Sequence, residues 1–116
     1  MDQRRDEHER RATTEALFRD VNERIAESAR RFGAERTDFV CECSDPNCTE
    51  RVEASLGEYE RIRGDGATFL LAPGHEHGDI ERVVDRRSHF SVVEKVHARV
   101  RRTVKRLNPR SRPATT

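Results

Sequence analysis

Cys41, Cys43 and Cys48 are the only cysteines in the chain, and all three lie in the run Phe39-Val-Cys-Glu-Cys-Ser-Asp-Pro-Asn-Cys48. Three thiolates this close are strong ligands for zinc. Structural zinc takes four donors in a tetrahedron, with Cys3His among the common sets. The expected fourth donor is His75, which follows Pro73-Gly74, a turn that can aim an imidazole back toward the sulfurs. His77 is the competitor, two residues on and on the same side of an extended backbone. The single residue between Cys41 and Cys43 departs from the C-x2-4-C spacing of structural zinc sites.

Two other readings of the cysteines stand beside this one. Cys41 and Cys43 could be small apolar core residues, with Cys48 incidental. Cys41 could also form a redox pair with Cys43 or Cys48, which would make the segment a thiol or zinc redox sensor. Glu42, Asp45 and Glu50 disfavour a reactive thiolate, and no Cys-x-x-Cys opens a helix. A catalytic metal site finds no support. Pro46-Asn-Cys48 lacks the second cysteine of a deaminase, and His75-Glu-His77 is too tight for the His-Glu-x-x-His pattern. With 22 carboxylates in the chain, no pair stands out as an acid/base couple. No catalytic residue is assigned, and the chain is read as non-enzymatic.

The elements around the cluster follow from local pattern. Residues 1–12 are nearly all polar and are assigned to a flexible tail. Leu17, Val21, Ile25, Ser28 and Phe32 recur at helical spacing, widened by Phe18 and Ala29. They predict an amphipathic helix over 13–33, begun by Thr13 or Thr14 and ended by Gly33 at C′. Its stripe is expected to pack on the body or on a second copy, with the body the simpler choice. Phe39 to Cys43 reads as a strand and Ser44-Asp-Pro-Asn47 as a turn. Ser55 and Glu58 form a capping box for a short helix carrying Leu56, Tyr59 and Ile62. Tyr59 is expected to point its hydroxyl at water, and His8, His89 and His97 are read as surface residues. Thr68 to Ala72 is a strand, and Ile80 to Val84 is open between strand and helix. Phe90 to Val96 is a strand that can make a hairpin with the segment before it. The expected fold class is therefore α+β: a small zinc-stapled β/helix module over 38–96 between an amphipathic helix and a basic helix over 97–108. Residues 109–116 are assigned to a second flexible tail.

Composition explains why a staple is wanted. Apolar residues make up 33% of the 116 and charged residues 39%, with no Trp and one Tyr. Such a chain builds a thin core, and small cores are commonly reinforced by metals or oligomers. No apolar run reaches the roughly 18 residues needed to cross a bilayer, and none follows the N-terminus as a signal peptide requires. The expected location is the cytoplasm, where a structural disulfide is disfavoured. The net charge of +1 hides a split. Residues 1–94 carry 15 Lys/Arg against 22 Asp/Glu, while residues 95–116 carry eight basic residues and no acid. Arg99, Arg101, Arg102, Lys105 and Arg106 cover much of the C-terminal helix and are the candidate contacts to an anion or nucleic acid.

The pieces Leu17-Phe-Arg-Asp-Val-Asn-Glu-Arg-Ile25, Phe39-Val-Cys-Glu-Cys43, Cys48-Thr-Glu50, Glu58-Tyr-Glu60, Phe69, Pro73-Gly-His-Glu76, Glu81-Arg-Val83 and Val92-Val-Glu-Lys95 resemble a group of small proteins of high-G+C Gram-positive bacteria. The resemblance covers about residues 15–96 and brings no activity with it. It implies a Cys3His metal site at Cys41, Cys43, Cys48 and His75, and ranks His75 above His77. The basic end beyond Lys95 lies outside it.

The function expected is a zinc-stabilised interaction module, with a regulatory role open to it, that binds a protein partner and can dimerise through its N-terminal helix. The competing reading is a nucleic-acid-binding protein that uses residues 96–112. Scarce aromatics count against a single-strand reader, and no helix-turn-helix signature is present. No membrane role is expected.

Overall fold

The computed structural model describes residues 3–111, with side chains over 6–110. The fold is α+β. Helix α1 (Gln3–Arg31) is followed by strands β1 (Arg36–Val40) and β2 (Arg51–Ser55), helix α2 (Leu56–Arg63) and strand β3 (Thr68–Leu71). Strands β4 (Glu81–Arg86) and β5 (Ser91–Lys95), helix α3 (Ala98–Arg106) and a 3-10 turn at Pro109–Ser111 complete it. β1 and β2 form an antiparallel hairpin, with Phe39 opposite Val52. The second sheet has the order β3-β5-β4, with both pairings antiparallel. The segment open between helix and strand is thus β4. A bulge between Val83 and Asp85 interrupts its register with β5.

Helix α1 turns only part of the expected stripe inward: Ala29 is buried and Ile25 packs against the core. Leu17, Val21 and Phe32 face solvent, at 62%, 37% and 82% exposure. The inward face is Ala12, Glu15, Ala16, Arg19, Asn22, Ala26 and Ala29. Small alanines let α1 lie close to β1 and α3, the elements it packs on. The longer polar residues reach backbone carbonyls and charges inside. Helical order also begins at Gln3, inside the stretch assigned to a flexible tail. Ala12 is buried, His8 stacks against His97 with ring centroids 4.3 Å apart, and Arg11 bonds Glu7 at 2.6 Å. Thr13 is therefore mid-helix and returns its hydroxyl to the Glu9 carbonyl at 2.8 Å. Gly33 ends the helix at φ 72°, with Gly33 N–H on Arg30 O and Ala34 N–H on Ala29 O, the paired bonds of a Schellman motif.

The capping box forms: Glu58 N–H donates to Ser55 Oγ at 3.0 Å, and Ser55 N–H to Glu58 Oε1 at 2.8 Å. Tyr59 is fully buried rather than turned to water. It stacks on Phe39 at 4.5 Å and donates its hydroxyl to Glu23. Phe39, Val52, Tyr59, Phe69, Leu70, Leu71, Ile80, Val93, Val100 and Val104 make the apolar core.

Charged groups fill much of the remaining interior. Lys95 Nζ bonds both Glu15 and Glu81, all three fully or almost fully buried. Arg19 donates to Gly66 O at 2.8 Å and Val104 O at 2.7 Å, and its guanidinium lies 4.7 Å from the Phe69 ring centroid. The last described residues are tied down. Arg110 bonds Glu23 and Glu60 at 2.8 Å each, joining α1 to α2. The rest of the assigned C-terminal tail, residues 112–116, lies outside the described residues.

Candidate metal centre

The centre is built where the two sheets meet. β1 ends at Val40, before the cysteines expected inside it. The chain then changes partner: Cys41 N–H bonds Glu50 O across the hairpin, and Glu42 N–H bonds Leu70 O on β3. This step places Cys41 and Cys43 inward at the seam. Asp45-Pro46-Asn47 turns the chain, with Asn47 N–H on Asp45 Oδ1 at 2.9 Å and Cys48 N–H on Asp45 O at 3.1 Å. The turn returns Cys48 to the other two sulfurs. From the far side, Pro73-Gly74 reverses the chain after β3. Gly74 sits at φ 84°, the position glycine fills in a type II turn, and His75 N–H bonds Ala72 O.

Four ligand atoms converge as a result. The three Sγ atoms and a ring nitrogen of His75 all lie within 4.8 Å of one another. His75 Nδ1 is 3.6 Å from Cys41 Sγ and 3.6 Å from Cys48 Sγ. Cys41 and Cys43 are buried, Cys48 is half-buried and His75 is exposed, so the imidazole closes the cluster from outside. His77 takes no part. Its Nδ1 lies 3.4 Å from Arg11, and its N–H donates to Glu81.

Backbone amides face the sulfurs. Cys41 accepts from Ala72 N–H at 3.2 Å, and the N–H groups of Asp45 and Glu50 favour the charged forms of Cys43 and Cys48. Cys43 is pulled down to about 5, first by its bond with the Cys41 thiol, against burial and with help from His75 and the Asp45 N–H. That same bond, with burial and the neighbouring sulfurs, pushes Cys41 up. Burial also pushes Cys48 up. Thiolates side by side repel one another, and a cation held among them would offset that repulsion. The donor set and its N–H cradle fit a metal ion.

Glu42, between the two inner cysteines, is a supporting residue the sequence pattern does not flag. It is fully buried, accepting from Asn22 Nδ2 at 2.7 Å and Leu70 N–H at 3.0 Å. Burial raises its pKa against those two bonds. Asn22 also takes the place of a neighbouring strand for Val40, giving a 2.8 Å bond to its C=O and accepting one of 2.8 Å from its N–H. Thus α1 holds the Cys-Glu-Cys step in place. A signal existed in the sequence: strict alternation over Phe39–Cys43 puts Glu42 opposite its neighbours, but a carboxylate there reads as solvent-facing.

The basic candidates do not gather at this centre. Arg101 donates to Lys95 O at 3.0 Å and reaches Glu94 at 4.0 Å. Arg102, Lys105 and Arg106 are exposed on α3, and Arg99 is half-buried. Arg99, Arg102, Lys105 and Arg106 border a shallow surface with Glu9 of α1. A cleft of about 290 Å³ between α2 and β5 has Ile62, Phe90 and Val92 in its lining, and none of the four ligands.

No protein-family model, curated protein or solved structure matches the chain. What the fold and site define is a small α+β protein with a Cys3His cluster able to hold a metal ion. No helix among the described residues is long and apolar enough to cross a membrane.

Proposed function

We propose that the protein is a non-enzymatic, zinc-stabilised interaction module that binds a protein partner and serves a regulatory role. The observation that carries this reading is the complete set of four protein ligands. Tetrahedral Zn–S bonds of about 2.3 Å and Zn–N bonds of about 2.0–2.1 Å place a sulfur and a nitrogen roughly 3.6 Å apart. Both Sγ–Nδ1 distances in the structure, from Cys41 and from Cys48, are 3.6 Å. Three thiolates with one imidazole favour zinc over hard divalent cations. A zinc so held leaves no position for water or substrate, which is the pattern of a structural site. The ion would join the β1–β2 hairpin to the turn after β3, so that metal binding contributes directly to folding. Leu17, Val21 and Phe32 on the outer face of α1 offer an apolar surface for a partner.

Cobalt substitution tests the closed site. The expected result is a tetrahedral thiolate spectrum that cyanide or azide leaves unchanged. A spectrum altered by those ligands would mean an open coordination position and overturn the non-enzymatic reading.

A second reading, nucleic-acid binding, is favoured by one observation on α3. Arg99, Arg102 and Arg106 have no carboxylate partner among the described residues, and they recur at helical spacing along one side. Such a row suits phosphates rather than bases, so binding would be salt-dependent and insensitive to sequence. Retention of duplex binding at low salt by Arg102→Ala with Arg106→Ala would remove this reading.

A further inference from the structure

We infer that the outer face of α1 is a homodimer interface, on which a second copy of this chain packs antiparallel. This rests on reading that face as the partner-binding surface and names its occupant. Leu17, Val21 and Phe32 are exposed along one side of the helix, with Ser28 also exposed between them. From Leu17 to Phe32 the stripe runs about 22 Å at 1.5 Å per residue. It is the most solvent-exposed apolar row on α1, and the polar groups that would ordinarily cover this side are turned into the core instead.

Charge chooses the occupant and its direction. One flank of the stripe carries Asp20, Arg24, Glu27 and Arg31, spaced by four, three and four residues. The signs run minus, plus, minus, plus. Read backwards, the row becomes plus, minus, plus, minus, so the flank is complementary to its own reverse. A parallel two-fold pair would set this flank against the opposite flank of the second copy and leave the complementarity unused. An antiparallel pair centred between Ile25 and Ala26 sets Asp20 against Arg31 of the second copy and Arg24 against Glu27 of the second copy. In the same register, Phe32 falls within about 3 Å along the axis of the second copy's Leu17. Apolar contacts and both sets of charges are therefore met by one arrangement. Among the described residues, the one ion pair within this flank joins Arg31 to Glu27 at 3.0 Å, with both side chains mostly exposed. Such a pair is weak and exchanges readily for an intermolecular one.

The stripe is short beside the surface that stable complexes bury, so the dimer is expected to be weak and concentration-dependent. Sedimentation velocity of the metal-loaded chain from micromolar to millimolar concentration tests it. The wild type should move from monomer to dimer. Leu17→Glu and Phe32→Glu, both exposed, should each raise the dissociation constant at least tenfold while zinc content and circular dichroism stay unchanged. Charge variants then test the direction. Glu27→Arg alone and Arg24→Glu alone should each dimerise at least tenfold more weakly than wild type, and an equimolar mixture of the two should restore association. A zinc-loaded monomer at millimolar concentration overturns the second copy as occupant and leaves the metal-stapled module standing. A dimer indifferent to the stripe variants, or a mixture that does not recover, overturns the antiparallel α1 interface.

Discussion

Two regions hold this interior together by opposite means. At the seam of the sheets, three sulfurs and an imidazole gather four ligand atoms able to hold a cation. Beneath α1, Lys95 supplies its own cation to Glu15 and Glu81. The first region has room for an ion from outside, and the second closes on itself. In a chain with 33% apolar residues, the buried ion set supplies an internal charge in place of missing oil, and the sulfur cluster has the ligands to take an external one. Asn22 and Glu42 connect the two, because the helix that carries Glu15 also carries the amide that holds the Cys-Glu-Cys step.

The largest effect should come from emptying the sulfur cluster. Structural zinc in small domains contributes on the order of 10 kcal/mol of apparent binding energy. Chelation, or Cys41→Ser, should abolish a cooperative thermal transition by calorimetry. An unchanged transition would make the sulfurs ordinary core residues. Next comes Lys95→Met, which leaves two buried carboxylates without their cation and should cost about 3–5 kcal/mol in urea unfolding. Adding Glu15→Leu and Glu81→Leu should recover most of that loss, since a buried ion set can be replaced by apolar groups. Failure to recover would give the buried ions a role beyond mutual compensation.

Asn22→Ala tests the link between the regions. It strips partners from Val40 and Glu42 and should cost roughly 2–4 kcal/mol. Zinc affinity, measured by competition with a chelator, should fall about 10–100-fold, the usual effect of removing a group that orients a ligand. A stability loss with unchanged affinity would separate the two regions. The smallest effect is a change of slope. Burial pushes Glu15 up to about 8, with Lys95 opposing and Glu81 adding to the rise. A carboxyl raised in this way stabilises the fold fully below its unfolded pKa, and that contribution is lost as pH rises toward 8. The wild type should therefore lose stability relative to Glu15→Gln between about pH 5 and 8. Parallel pH profiles for the two would contradict the assignment.

What could be read from the sequence was local. The Ser55–Glu58 box, the Gly33 terminus, the Asp-Pro-Asn turn and the Pro73-Gly74 reversal each depend on neighbours within a few residues, and each appears in the structure. The strand Arg51–Ser55 was not read from the sequence, because the alternation of Val52 and Ala54 is too short and too charged to stand out. The orientation of α1 was not legible. Periodicity finds an apolar stripe but does not say which face turns inward, and here the inward face is alanine, arginine, asparagine and glutamate. Those residues are justified only by partners far along the chain: Lys95 is 80 residues from Glu15, and Val104 is 85 from Arg19. Within the metal centre, the close spacing of the sulfurs is a local fact. The approach of His75 depends on β3 lying beside the Cys-Glu-Cys step, which is a fact of topology.

The central claim is that a zinc ion bridges the Asp-Pro-Asn turn and the imidazole that follows β3. X-ray absorption at the zinc edge, on protein purified gently under reducing conditions, tests it most directly. The account predicts one zinc per chain with three sulfurs at about 2.3 Å and one nitrogen at about 2.0–2.1 Å. A chain that carries no zinc, or a zinc bound by fewer than three sulfurs or with an oxygen in the fourth position, would contradict it.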